Sequence, residues 1–298
     1  MAKKRTYKKK SKSRNSYIPK FIILLLFTLI ISVISYTILT LTFKEKVIKE
    51  EQTPALKTIY KETIKPQKDQ EKIIYQQIKK DHQIKSKPKL AIIIDDVSFK
   101  AHVKRIKEIG YPVTMAFLPP TPRHKNSALI AQDIPFYMIH FPLEAKSFKF
   151  AEINTLKTTD SYNKILARVK YLHKLYPNAS FTNNHTGSKF TSNIEAMNKL
   201  MKALKQYNFT FIDSRTTAKT VAKEAANRHN VQFFTRNIFL DNKQDKAYIQ
   251  KQLIKAVKIA KRNGSAIAIC HPRKITLKTL KESKHLLKDV DLVLVNKL

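Results

Sequence analysis

Two adjacent aspartates, Asp95 and Asp96, close the apolar run Leu90-Ala91-Ile92-Ile93-Ile94. Such a run, mostly β-branched, reads as a strand buried on both faces, as in a parallel sheet. Carboxylates at its end then stand at the carboxyl rim, where α/β proteins build chemistry. The bland alternative is a helix N-cap. The arrangement recurs down the chain. His140, with Glu144 four residues on, follows the strand-like segment 136–139; Asn183, Asn184 and His185 follow 179–182; Asp213, Ser214 and Arg215 follow 209–212; Asp241 and Asn242 follow Phe239-Leu240; His271 follows 266–269. Alone, His140 or His185 could be a core residue, Asp213 an N-cap, and Arg215 a carboxylate's partner. In a parallel barrel all six sites converge on one rim. One Asp plus two His suits Zn²⁺ and leaves a position for water. Asp95, on the other side of the pleat, could orient or deprotonate that water, and His271 from across the barrel could protonate a leaving group. Arg215 could hold Asp95 ionised. His82, His102, His124, His173, His229 and His285 fall in linker, helices or loops and read as solvated or structural.

The elements that must position these groups alternate. Strand-like segments at 90–94, 113–118, 136–139, 179–182, 209–212, 231–234, 266–269 and 290–295 are separated by amphipathic helical segments, clearest at 161–175, 194–207, 217–228 and 246–262. This pattern predicts parallel βαβ units. Seven or eight of them in about 210 residues predict an α/β barrel, short for a (β/α)8, with a doubly wound sheet as the alternative. Ser192-Asn193-Ile194-Glu195 reads as a capping box and Asn263-Gly264 as a left-handed helix end. No Gly-x-Gly-x-x-Gly or P-loop is present to hold a nucleotide.

Residues 1–20 carry nine Lys or Arg and no acid, and residues 21–43 then run without a charge. At about 1.5 Å per residue such a run spans a bilayer core of about 30 Å. It is too long for a cleaved signal's apolar region. The expected organisation is a basic cytoplasmic tail (1–20), one transmembrane helix (21–43), a charged linker (44–88) and a barrel domain (89–298). The positive flank puts the N-terminus in the cytoplasm and the barrel on the periplasmic side of the inner membrane. The formal net charge is +36, yet the basic residues are mainly lysines spread along the chain, with no nucleic-acid motif among them. No nucleic-acid partner is expected; an anionic lipid or wall polymer accounts for the charge equally well. The single cysteine, Cys270, excludes an intramolecular disulfide.

Across residues 89–298 the chain resembles the divergent branch of the polysaccharide deacetylase superfamily. The matching pieces are Ile92-Ile93-Ile94-Asp95-Asp96, Val113-Thr114-Met115-Ala116-Phe117-Leu118-Pro119, His140-Phe141-Pro142-Leu143-Glu144, Asn183-Asn184-His185-Thr186-Gly187-Ser188, Asp213-Ser214-Arg215-Thr216-Thr217, and Gly264 to Ile269 followed by His271-Pro272. The resemblance implies a distorted (β/α)7-type barrel and metal-dependent removal of N- or O-acetyl groups from a polysaccharide such as cell-wall glycan. It makes Asp95 the general base, Asp96 and His140 ligands of a divalent metal, Zn²⁺, and His271 the general acid. Where the superfamily has a second histidine this chain has Glu144, so the third ligand is expected to be His185, with Glu144 the alternative. Residues 183–188 stand in place of an absent Arg-x-Pro-x-Gly segment. A non-catalytic envelope protein that binds glycan or a wall enzyme is the competing expectation.

Overall fold

The structure, a computed structural model, describes residues 87–147 and 150–298. The expected tail, the span at 21–43 and nearly all of the linker lie outside the described residues. Among the described residues no helix is long and apolar enough to cross a membrane.

In chain order the elements are β1 (Lys89–Val97), α1 (Lys100–Lys107), β2 (Thr114–Phe117), α2 (Ser127–Gln132), β3 (Tyr137–Leu143), α3 (Tyr162–Leu175), β4 (Phe181–Thr186), α4 (Ile194–Gln206), β5 (Thr210–Asp213), α5 (Ala222–Arg228), β6 (Phe233–Thr235), β7 (Ile238–Phe239), α6 (Lys246–Asn263), β8 (Ser265–Cys270), α7 (Lys274–Glu282) and β9 (Asp291–Val293). The strands form one sheet in the order β6-β5-β4-β3-β2-β1-β8-β7, with β9 beside the start of β1. Every pairing is parallel. The two ends of the sheet, β6 and β7, are joined only by Arg236 and Asn237. The Arg236 N–H donates to the Asp213 carbonyl of β5, and the Asn237 N–H to the Ile267 carbonyl of β8. The sheet therefore curls back on itself as a parallel half-barrel of eight strands, and no ladder joins β6 to β7 among the described residues. The segments expected at 231–234 and near Phe239 are two parts of one course that changes partner at Arg236.

Alternation along the strands divides the core. Leu90, Ile92 and Ile94 of β1 pack outward with the helices. Ala91 and Ile93 face the interior with Ala116, Met138, Phe181, Ile212, Ile267 and Ile269. That explains why β1 is apolar on both faces. One step of two residues toward the carboxyl end of the interior row leads to Asp95, His140, Asn183, Ser214 and His271. The polar rim is thus the top layer of the barrel filling.

Two local expectations change. The cap of α4 is Asn193, which accepts from the Ala196 N–H at 2.8 Å; the Ser192 hydroxyl instead donates to the carbonyls of Ser188 and Lys189. Helix α5 begins at Ala222, not 217, because the Thr220 hydroxyl is engaged by Asp213 and the Val221 N–H by the Thr191 carbonyl.

Candidate active site

Strict alternation would send Asp95 and Asp96 to opposite faces of β1. The ladder to β2 instead slips between Ile94 and Val97, and Asp96 adopts φ +57°. This bulge turns both carboxylates toward His140 of β3, whose Nε2 lies 3.2 Å from Asp96 Oδ1 and 3.7 Å from Asp95 Oδ2. His185, two residues above Asn183 on β4, places Nδ1 3.0 Å from the same Asp96 oxygen. One donor atom each from Asp96, His140 and His185 thus falls within 4.8 Å of the others.

Asn183 organises the buried side of this cluster. Its Oδ1 accepts from His140 Nδ1 at 2.9 Å, and its Nδ2 donates to Asp95 Oδ1 at 2.8 Å and to Ser214 Oγ at 3.1 Å. An amide oxygen only accepts, so His140 Nδ1 carries a proton and Nε2 is the nitrogen that faces the cluster. The donor set fits a divalent cation. With bonds of about 2.0–2.1 Å, two ligands of a tetrahedral Zn²⁺ stand about 3.3 Å apart, close to the separations of Asp96 from the two imidazoles.

Charge in the cluster is strongly patterned. Burial pushes the Asp95 carboxyl up despite the attraction of His140 and His271. Burial acts the same way on Asp96, but hydrogen bonds from His140 and His185 outweigh it and hold that carboxyl well below the usual range. Burial opposes charge on His140 too, yet Asp95 and Asp96 bring the ring up to about 9. Two carboxylates therefore draw positive charge into one small volume, one of them staying ionised and the other primed to take a proton.

His271 stands beyond the end of β8 with Nε2 4.0 Å from Asp96 Oδ2. Its Nδ1 lies 3.0 Å from Asp241 Oδ1, and its backbone N–H donates to Oδ2 of the same carboxylate. Burial lowers the ring's basicity, but Asp241, with Asp96 and Asp95, more than restores it, so His271 is shifted upward. Asp241 is fully buried and is also bound by Thr276 Oγ1 and Arg273.

The other residues read from the sequence occupy different places. Glu144 is not in the cluster: one oxygen accepts from the Thr158 N–H and hydroxyl and the other from Lys189 Nζ, fastening the loop after β3. Asn184 turns away to bind the Ser214 N–H and the Thr186 carbonyl. Asp213 accepts from the Arg215 N–H and Thr220 hydroxyl. Arg215 is exposed, and the reading that it pairs with Asp95 is corrected, since the partners of Asp95 are Asn183, His140 and His271.

Arg236 was not singled out by sequence reasoning, because a two-residue step between short strands has no periodic signal. Its Nε donates to the Ser214 carbonyl at 2.6 Å and its Nη2 to the Arg215 carbonyl. Its guanidinium lies 3.8 Å over the Phe239 ring, which stacks on His271 at 6.2 Å and 16°.

Residues 92–298 match the divergent polysaccharide deacetylases. The chain is 37% identical over 196 residues to the uncharacterized protein YibQ of Escherichia coli K12, covering 65% of this chain and 61% of that one. It is 34% identical over 213 residues to an uncharacterized protein of Haemophilus influenzae, covering 69% and 74%. The aligned region thus spans less than two thirds of the E. coli relative. An uncharacterized protein of Agrobacterium tumefaciens C58 has a similar fold in its crystal structure, at a TM-score of 0.61 and 18% identity over 70% of this chain and 87% of that one.

Proposed function

The chain belongs to the divergent polysaccharide deacetylase family, and from that premise we propose that it is a metal-dependent carbohydrate deacetylase of the cell envelope, acting on acetylated glycan of the peptidoglycan type. The observation that carries this reading is the convergence of Asp96, His140 and His185 within 4.8 Å, flanked by Asp95 and His271. A divalent cation held by those three, Zn²⁺ by the nature of the donors, would supply Lewis-acid polarisation of the acetyl carbonyl. Asp95 takes the proton of the attacking water at Oδ2, since Oδ1 is held by Asn183. His271 gives a proton from Nε2 to the departing amine or alcohol, while Asp241 at Nδ1 fixes its tautomer and steadies its charge.

Acetate release from acetylated glycan by the Zn²⁺-loaded chain tests the reading. Asp95→Asn and His271→Ala should each slow release by about 10²–10⁴-fold with metal content unchanged. Full activity in Asp95→Asn would remove the assigned roles. A second reading, a non-catalytic envelope protein using the same pocket to bind glycan, is favoured by Glu144, which stands where the superfamily's second histidine is expected and serves the loop instead. Glycan binding without acetate release, at full metal occupancy, would select it.

For residues 1–88 the reading rests on the charge and hydropathy pattern alone: a tail at 1–20, a single inner-membrane span at 21–43 and a tether at 44–88, with the catalytic domain (89–298) in the periplasm. A reporter fused after Leu298 should be active only in its exported form.

A further inference from the structure

Phe99 lies three residues past Asp96, at most about 10 Å along the chain, on the rim between β1 and β2. One feature of its position runs against ordinary folding preference. It is the N-cap of α1, where Ser, Thr, Asp or Asn would bind a free N–H, and it makes no cap hydrogen bond. Ser98, one residue earlier, turns its hydroxyl to the Asp96 carbonyl. The Phe99 side chain is also 45% exposed, beside polar groups that are buried (Asp95, His140, Asn183) or half-buried (Asp96, His185, His271). The ring is nonetheless held. His102 packs against it at 5.2 Å and 87°, and His124 at 6.2 Å and 90°. His124 is itself buried, with Nε2 3.1 Å from Thr121 Oγ1 and 3.5 Å from Glu152 Oε2. That contact brings the loop after β3, with Ile153 55% exposed, to the same side of the rim.

We propose that Phe99 is a stacking platform for a sugar ring adjoining the one whose acetyl group enters the Asp96–His140–His185 cluster, which makes the substrate an oligomeric or polymeric glycan; this rests on the deacetylase reading above. The apolar C–H face of a pyranose suits a fixed aromatic face, and a ring oriented in advance loses little freedom on binding. An exposed, uncapped aromatic at the head of α1 then has a ligand to cover it.

The chain contains no tryptophan, so Phe99→Trp installs a single fluorescent reporter at the platform. The probes are N-acetylglucosamine and its β-linked tetramer, titrated into the full chain loaded with Zn²⁺. Wild type should bind the tetramer more tightly than the monomer. Phe99→Ala should lose about three- to tenfold of tetramer affinity with metal content unchanged, Phe99→Tyr should retain it, and Phe99→Trp emission should shift saturably with the tetramer only. If wild type binds the tetramer while Phe99→Ala matches it or the Trp emission stays fixed, the platform is overturned and the deacetylase reading stands. If Phe99-dependent binding occurs without acetate release, the platform stands and the catalytic reading falls. A wild type that binds no tetramer overturns both.

Discussion

Asn183 carries more of the site than its neutral side chain implies. It fixes which His140 nitrogen faces the cluster and holds one oxygen of Asp95. Asn183→Leu should weaken metal affinity about 10–100-fold and cost about 1–3 kcal/mol of stability from the orphaned His140 Nδ1; chelator competition and denaturation measure the two, and unchanged affinity would remove Asn183 from this role. Asp241 gives a pH test. Burial raises its carboxyl, but His271 and Arg273 outweigh that and leave it lowered. A carboxyl lowered in the folded state contributes stability above its unfolded value, about 3.9, and loses that contribution as pH falls through the folded value. Asp241→Asn should therefore be less stable than wild type at pH 7, with the gap closing in acid; a gap that widens on acidification would contradict the sign. Of the residues brought together here, Asp95, His140, His185 and His271 were readable because each follows an apolar strand signal. Asp96 was named with them, but the bulge that carries it to the cluster leaves no compositional mark. Arg236 was hidden because its partners are backbone carbonyls distant in the chain.

Strands β3 and β4 run further than their apolar signal. Segments expected at 136–139 and 179–182 extend to Leu143 and Thr186, pairing His140 with Asn183, Phe141 with Asn184 and Pro142 with His185. Polar residues and a proline read as loop, but at a barrel mouth they can keep the ladder while their side chains line a site. The βαβ alternation itself was plain, because apolar period and length separate strands from helices. The partner change at Arg236 was not, because no helix intervenes. Gly187 anchors the end of β4. Its φ is +93°, and an added Cβ would meet Leu143 Cβ at 3.0 Å, whereas one at Gly110, with φ +80°, would meet nothing within 4 Å. Gly110→Ala should cost about 1–2 kcal/mol of backbone strain. Gly187→Ala should cost more and also displace His185, lowering metal affinity; equal denaturation midpoints for the two variants would show that the close approach does not matter.

At the scale of the molecule, the barrel gathers groups from five strands and the segments beyond them into one layer, so occupancy of that layer should be felt by the whole fold. A ligand at 100 times its dissociation constant stabilises by about 2.7 kcal/mol. Zn²⁺ should raise the melting temperature of wild type and leave His140→Ala unmoved. The +36 charge adds long-range attraction for anionic surfaces without defining the reaction, which belongs to the rim. Metal content tests the Asp96–His140–His185 site itself: the purified full chain, wild type against His140→Ala and His185→Ala, is loaded with Zn²⁺ and freed of excess. About one ion per wild-type chain is expected, as a single three-ligand site requires, with near-complete loss in both variants. A wild type that holds no metal after loading, or variants that keep it, would contradict the site on which the proposed chemistry depends.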